Sequence, residues 1–282
     1  YSNKKNIDNN NNNDNNEEEE EEEEKQQRND EDDDIGYPLY RAISQGTPQE
    51  MATSVDTYLS QGYTKFQLKV GGNVQEDIER IKSVRAKLDE VALSKGQSPG
   101  YYPIYADANT GWLCSDALRV VHAVKDVSNL YIEQPCASYH DNLVIRNKTN
   151  LPFIIDENLT DIEMMSQIIK DKSADAVNIK ISKVGGLTKA RAIRDLAMSH
   201  NIQMNIEDTW GGDIVTAAIA ALAHSTKPNL LLCSTDFNSY GPTIMANTSA
   251  RAKEGRMIAP TEAGLGVDPD PLVLGAPVFS IR

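Results

Sequence analysis

The chain has 282 residues, with 28 Lys and Arg against 42 Asp and Glu, for a formal net charge of −14. Residues 1–36 hold 4 basic and 15 acidic residues, so the remaining 24 basic and 27 acidic residues leave the body nearly neutral. That excludes the basic stripe of a nucleic-acid module; no apolar run reaches the ~18–20 residues of a membrane span; and three cysteines, Cys114, Cys136 and Cys233, make no disulfide framework in a chain this long. With no charged-then-apolar leader, a reducing, cytoplasmic setting is expected.

Residues 1–36 are low complexity. Asn fills 9–13 and 15–16, Glu fills 17–24, and Asp32 to Asp34 close the run. Such a segment has too little apolar surface to offset its ordering entropy, so a disordered acidic tail is expected.

From Tyr37 the texture changes to short apolar runs alternating with helical periods. Strands are expected at 38–44, 65–70, 102–106, 129–133, 152–156, 175–181, 202–207 and 229–234. Between them lie helical segments at 48–61, 74–94, 115–127, 140–148, 160–170, 187–200 and 212–225. Thr47-Pro48 opens the first as cap and first turn, and Ile78, Ile81, Val84 and Leu88 give the second its buried face. Strict alternation implies a parallel sheet, and eight repeats imply a closed α/β barrel of the (β/α)8 TIM type. An open doubly wound sheet would carry a Gly-rich turn after its first strand, and Ser44-Gln45-Gly46-Thr47 is not one. Residues 235–282 read as a C-terminal extension, a final helix or loops followed by irregular chain.

A barrel of this kind works at the C-terminal ends of its strands. Those ends read Gln67-Leu68-Lys69, Asp107-Ala108-Asn109, Glu133-Gln134-Pro135, Asp156-Glu157-Asn158, Lys180 and Glu207-Asp208, from the second strand to the seventh. Three successive strands thus each bring a carboxylate, Asp107, Glu133 and Asp156, to one rim. Their repulsion calls for a hard divalent cation, and Mg²⁺ suits oxygen ligands with positions left open for water or substrate. Lys69 and Lys180 flank the acidic strands and would approach a metal-bound substrate from opposite sides. Burial near a cation lowers a lysine's pKa and fits it as a base. The metal would acidify the proton α to a bound carboxylate by stabilising the enediolate.

Any one of these acids alone would serve equally as a helix cap or loop closure, the role expected for Asp116 and Asp161. Lys65, Lys183 and Lys189 read as surface charges, with Lys65 on the face of Gln67 and Lys69 but near the barrel's foot. The four histidines fall within helical patterns. No His stands beside Cys114 or Cys136 at a strand end, so a thiol nucleophile is not expected.

Together these residues resemble the enolase superfamily, in its mandelate racemase and muconate lactonizing branch. The resemblance spans 37–282 and rests on Lys69 in Phe66-Gln67-Leu68-Lys69-Val70-Gly71-Gly72, Asp107-Ala108-Asn109, Glu133-Gln134-Pro135, Asp156-Glu157 and Lys180 in Asn178-Ile179-Lys180. It implies Asp107, Glu133 and Asp156 as metal ligands, Mg²⁺ as cofactor, and Lys69 and Lys180 as paired acid and base. No His marks the seventh strand's end, so the His–Asp arrangement of mandelate racemase proper is not implied. Three further stretches, from Tyr40 to Gly46, from Ile206 to Asp213 and from Ser234 to Asn238, are similar to the group of cis-3-hydroxy-L-proline dehydratases and hydroxyproline betaine epimerases. They bring in Asp208, Trp210, Asp236 and Phe237 as substrate-side candidates, beside Gln67, which stands where the muconate type has a further lysine, and Asn109 of the third strand's end. Phe237 could meet a substrate ammonium with its ring, or be plain barrel-top packing.

The resemblance implies removal of the α-proton of a proline-type amino acid, followed by dehydration, racemisation or epimerisation. A catalytically impaired barrel that binds or assembles is the competing reading. A small carboxylate substrate and a homo-oligomer are the expected partners. Relatives place a capping domain where this chain has its tail. With Tyr1 at the start, a fragment of a longer enzyme is expected, and a cap from another chain or an impaired member are the alternatives.

Overall fold

The computed structural model describes residues 36–278, so the tail expectation lies, Gly36 apart, outside the described residues. One parallel sheet runs in sequence order through β1 (Tyr40–Ile43), β2 (Lys65–Lys69), β3 (Ile104–Asp107), β4 (Leu130–Glu133), β5 (Phe153–Ile155), β6 (Ala176–Lys180), β7 (Gln203–Glu207) and β8 (Leu231–Ser234). A parallel bridge from Leu39 to Ser234 joins the last strand to the first. Between the strands run α1 (Pro48–Ser60), α2 (Val74–Ser94), α3 (Cys114–Ala123), α4 (Tyr139–Arg146), α5 (Ile162–Asp171), α6 (Leu187–Ser199) and α7 (Asp213–His224). This is the expected (β/α)8 barrel.

Local chemistry starts the helices where the sequence marks them. Thr47 and Glu50 form a reciprocal capping box with Pro48 in the first turn of α1. Asp161 accepts from Met164 N at the head of α5. Asp116 is no cap: it sits in the first turn of α3, behind Leu113. The helix expected over 115–127 ends at Ala123, because Val124 leaves helical geometry (φ −111°) and stays buried in the turn toward β4.

The strand expected at 38–44 divides. Tyr37–Pro38 pairs antiparallel with Arg256–Met257, and β1 begins only at Tyr40. After β8 come a 3-10 turn, Phe237–Ser239, a pairing of Ala246–Thr248 with Val267–Pro269, and a short helix, Pro271–Leu274. Among the described residues no helix is long and apolar enough to cross a membrane.

Side-chain parity sorts the barrel into two cores. Phe66, Leu68, Ile104, Ala106, Ile132, Phe153, Ile155, Val177, Ile179, Met204 and Ile206 point outward and pack with the helices in the main core. Tyr40, Tyr105, Ile154, Ala176, Leu232 and Cys233 form a separate inner cluster. Consecutive Leu232 and Cys233 share it because the β7–β8 register shifts there, Met204 facing Leu231 and Asn205 facing Cys233. One inserted residue reverses the parity of everything that follows in β8.

Candidate active site

The register sets the rim. Lys69 pairs with Asp107, Asp107 with Glu133, and Lys180 with Glu207, so these side chains leave their strands at one level. Asp156 follows β5 directly, and its backbone N–H is held at 2.9 Å by the Gln134 side-chain oxygen. The β2 end is fixed from behind. Buried Asp77 accepts from Gly71 N, Gly72 N and Trp112 Nε1. Gly71 has φ +99°, and a Cβ there would stand 2.2 Å from Ala108 O, so only glycine lets this loop lie against the β3 end.

Each acid is seated on nitrogen. Lys69 Nζ contacts Asp107 Oδ2. Lys180 Nζ is 2.5 Å from Asp156 Oδ2 and 3.6 Å from Glu207 Oε1. Glu133, wholly buried, accepts from Gln67 Nε2 at 2.9 and 3.2 Å and from Asn178 Nδ2 at 2.5 Å. From Asn178 a chain of hydrogen bonds descends the barrel interior, through Asn205 at 2.7 Å to the Cys233 thiol at 2.8 Å.

Burial pushes the Glu133 carboxyl well above the usual carboxylate range, and the charges of Asp107, Glu207 and Asp156 add to the push. Burial likewise lifts Glu207 to about 7, although Lys180 opposes it. Burial pulls Lys69 and Lys180 down, but the surrounding carboxylates outweigh it and both amines stand above the ordinary lysine value. The lowered lysine pKa expected from the sequence is therefore not produced by the protein's own groups.

Among the described residues no three acid, imidazole or thiol side chains are gathered as a ready metal site, since the carboxylates are turned onto amines and amides. The donor chemistry nevertheless fits a hard divalent cation. Three oxygen-only side chains come from consecutive strands, and Glu133, whose carboxyl is raised well above the usual range by burial first and neighbouring charges second, lies between the other two.

Two lysines that read as surface charges in the sequence belong elsewhere. The turn after β6 brings Lys183 Nζ to 3.0 Å from Asp156 Oδ1 and 2.6 Å from Asp156 O. Lys65 is half-buried at the barrel foot, and its amine donates to Leu232 O. Lys189 is exposed, as expected. The sequence resemblance points to Asp208 and not to its neighbour Glu207. Parity was the available signal: Ile206 packs outward, so Glu207 points in.

The substrate-side candidates scatter. Gln67 supports Glu133. Asn109 is exposed and reaches Glu157 at 3.2 Å. Asp208 is spent on the neighbouring turn, accepting from Ser182 N, the Ser182 hydroxyl and Thr209 N. Asp236 is not brought to the site. The β8 bulge turns it outward, where its charge faces Arg41 and Tyr63 behind the barrel wall. Trp210, 63% exposed, lies 5.4 Å from Phe237 with the rings tilted by 45° and edge-on to Tyr240 at 6.1 Å, on the loops that follow β7 and β8.

A (β/α)8 barrel with acids at the ends of β3, β4 and β5 and lysines at the ends of β2 and β6 defines the class. The chain belongs to the enolase C-terminal domain-like family, which matches residues 50–273. It is 48% identical over 240 residues to the cis-3-hydroxy-L-proline dehydratase of Roseibium aggregatum, covering 85% of this chain and 62% of that protein. It is 32% identical over 193 residues to the N-succinyl-L-Arg/Lys racemase of Bacillus cereus, covering 66% of this chain and 47% of that protein. A solved structure of an enolase-superfamily member from Roseovarius nubinhibens, complexed with magnesium, matches with a TM-score of 0.77 at 32% identity, over 86% of this chain and 64% of that one. The chain thus spans less than two thirds of the length of these relatives.

Proposed function

We propose that this chain supplies the barrel of a magnesium-dependent enzyme that removes the proton α to the carboxylate of a proline-type amino acid, with dehydration of cis-3-hydroxy-L-proline as its reaction. The observation that carries this reading is the placement of Lys69 and Lys180 on opposite flanks of one carboxylate layer. The 48% identity to a dehydratase of that substrate supports the choice of substrate.

Asp107, Glu133 and Asp156 would hold the ion. The chemistry supplied by bound magnesium is positive charge, which acidifies the α-proton and loosens the carboxylates' hold on the lysines. One lysine, Lys69 or Lys180, takes the α-proton at Nζ. The C–H electron pair forms the Cα–Cβ double bond as the Cβ–O bond breaks, and the β-hydroxyl leaves as water with a proton from a lysine ammonium of the site, so the first product is the 2,3-dehydro amino acid, which tautomerises to the cyclic imine. Without a β-hydroxyl, the opposite lysine would return a proton to the other face, giving racemisation or epimerisation; the 32% identity to a racemase favours keeping this second outcome. Gln67 and Asn178 keep Glu133 in place, and the Trp210–Phe237 pair offers an aromatic face to a substrate nitrogen cation.

The test is α-proton exchange in D₂O, followed by proton NMR, with Mg²⁺ and a panel of proline, cis-3-hydroxyproline, trans-4-hydroxyproline and their betaines. The Roseibium dehydratase serves as the positive control. Exchange with water loss from cis-3-hydroxyproline is expected, falling by about 10²–10⁴ in Lys69→Ala and Lys180→Ala with Mg²⁺ binding intact. Undiminished exchange in both variants overturns the reading. Mg²⁺ binding without exchange of any panel member supports a non-catalytic barrel instead.

A further inference from the structure

The two lysines are not seated alike. Lys69 touches one carboxylate, Asp107. Lys180 lies between two, with Asp156 Oδ2 at 2.5 Å on the β5 side and Glu207 Oε1 at 3.6 Å on the β7 side. Glu207 is itself fastened: its other oxygen accepts from the hydroxyl of Tyr40, a buried residue of β1, at 2.5 Å. That bond crosses from β7 to β1, past β8, and fixes a buried acid that none of the assigned roles uses.

An ammonium and a divalent cation cannot share one carboxylate oxygen without strong repulsion. A cation on Asp156 would therefore displace Lys180 from Oδ2. The other oxygen is no refuge, because Lys183 already occupies Oδ1 and the Asp156 carbonyl. The next acceptor in reach is Glu207 Oε1.

We propose that Glu207, anchored by Tyr40, is the second seat of the Lys180 ammonium and positions it when a cation takes Asp156. Glu207 acts through Lys180 and is a positioning residue, not a metal ligand. The inference rests on the function proposed above for the cation and the lysine. It deepens that reading by making the two sides of the site unequal: Lys180 has a second carboxylate at 3.6 Å, whereas among the described residues Lys69 is in ion-pair contact with Asp107 alone and feels Glu133 and Glu207 from farther off.

The test is a double-substitution cycle read by calorimetric Mg²⁺ binding, which needs no turnover. Glu207→Gln keeps the side chain's shape and its bond to Tyr40. It should weaken Mg²⁺ binding about tenfold, because the displaced Lys180 loses its alternative partner. In a Lys180→Met background the same substitution should change the affinity less than about twofold. Tyr40→Phe loosens the seat without removing its charge. It should weaken binding in the same direction, by about threefold, and it keeps the test alive if Glu207→Gln misfolds. In D₂O, Glu207→Gln should slow exchange on one face of the substrate more than on the other.

Equal weakening in both backgrounds would mean simple loss of negative charge and would overturn the inference, as would no weakening in either. Failure on those terms, with α-proton exchange normal in the unaltered chain, sinks the second seat alone. An unaltered chain that binds no Mg²⁺ overturns both the second seat and the proposed function.

Discussion

Lys183 and Lys180 both reach Asp156, yet only one is free to act. Lys183 is held twice, by the carboxylate and by the carbonyl of the same residue, while the Lys180 amine makes no backbone bond among the described residues and has a second acid beside it. The turn from Ile181 to Gly186 causes the difference. Val184 N bonds back to Lys180 O at 3.1 Å and Gly186 N to Ile181 O at 2.8 Å, so the chain curls over the strand end and carries Lys183 above Asp156. In the sequence, Lys183 is only a lysine three positions past a strand-end lysine, and nothing there signals the curl's direction. Its charge opposes any cation on Asp156. Lys183→Met removes about 1 kcal/mol or more of repulsion at this range, so Mg²⁺ affinity should rise about fivefold or more in calorimetric titration. Unchanged or weaker binding would mean that Lys183 serves to orient Asp156 more than to compete for it.

At the scale of elements, the barrel was legible because period two and period 3.6 alternate without interruption, and the acids were legible because they close their strands. Two things were not. The β8 bulge lies at Leu232, inside an unbroken Leu-Leu-Cys-Ser run that gives no sign of an extra residue, and it sends Asp236 outward. The clamp on α7 was also invisible, because it joins segments far apart in sequence. Buried Asp213 accepts from Met245 N, Ala246 N, Asn238 Nδ2 and Arg251, tying the head of α7 to the chain after β8. Burial raises its pKa, but these donors outweigh it and the net shift is downward. A depressed folded-state pKa gives stability that is complete above the unfolded value, near 3.9, and is lost as pH falls through the folded one. Asp213→Asn should therefore flatten the dependence of melting temperature on pH between about pH 4 and pH 2. Asp213→Ala should cost about 2–4 kcal/mol at neutral pH and open 240–270 to limited proteolysis. A melt unchanged by Asp213→Ala would show the clamp to be dispensable.

Across the whole molecule, the site gathers like charge among buried side chains at the barrel rim. Asp107, Glu133, Asp156 and Glu207 are all buried at one rim, with the ammoniums of Lys69, Lys180 and Lys183 against them, and burial together with the neighbouring acids raises the Glu133 carboxyl. Such a layer opposes folding until something neutralises it, so a cation bound there would be linked to stability. A ligand that binds only the folded chain adds about 2.7 kcal/mol at a hundred times its dissociation constant. For a domain of this size that should raise the melting temperature by roughly 5–10 °C in saturating Mg²⁺. Monovalent salt at matched ionic strength gives the baseline, since screening reaches buried charges poorly. Glu133→Gln separates the two halves of the argument. It removes the most crowded charge while keeping a side chain that Asn178 can still bond through its oxygen. Without divalent ion it should melt at or above the unaltered chain, and Mg²⁺ should move it little. If Glu133→Gln melts lower and keeps the full Mg²⁺ shift, Glu133 is a structural hydrogen-bond partner and the stabilising ion sits elsewhere.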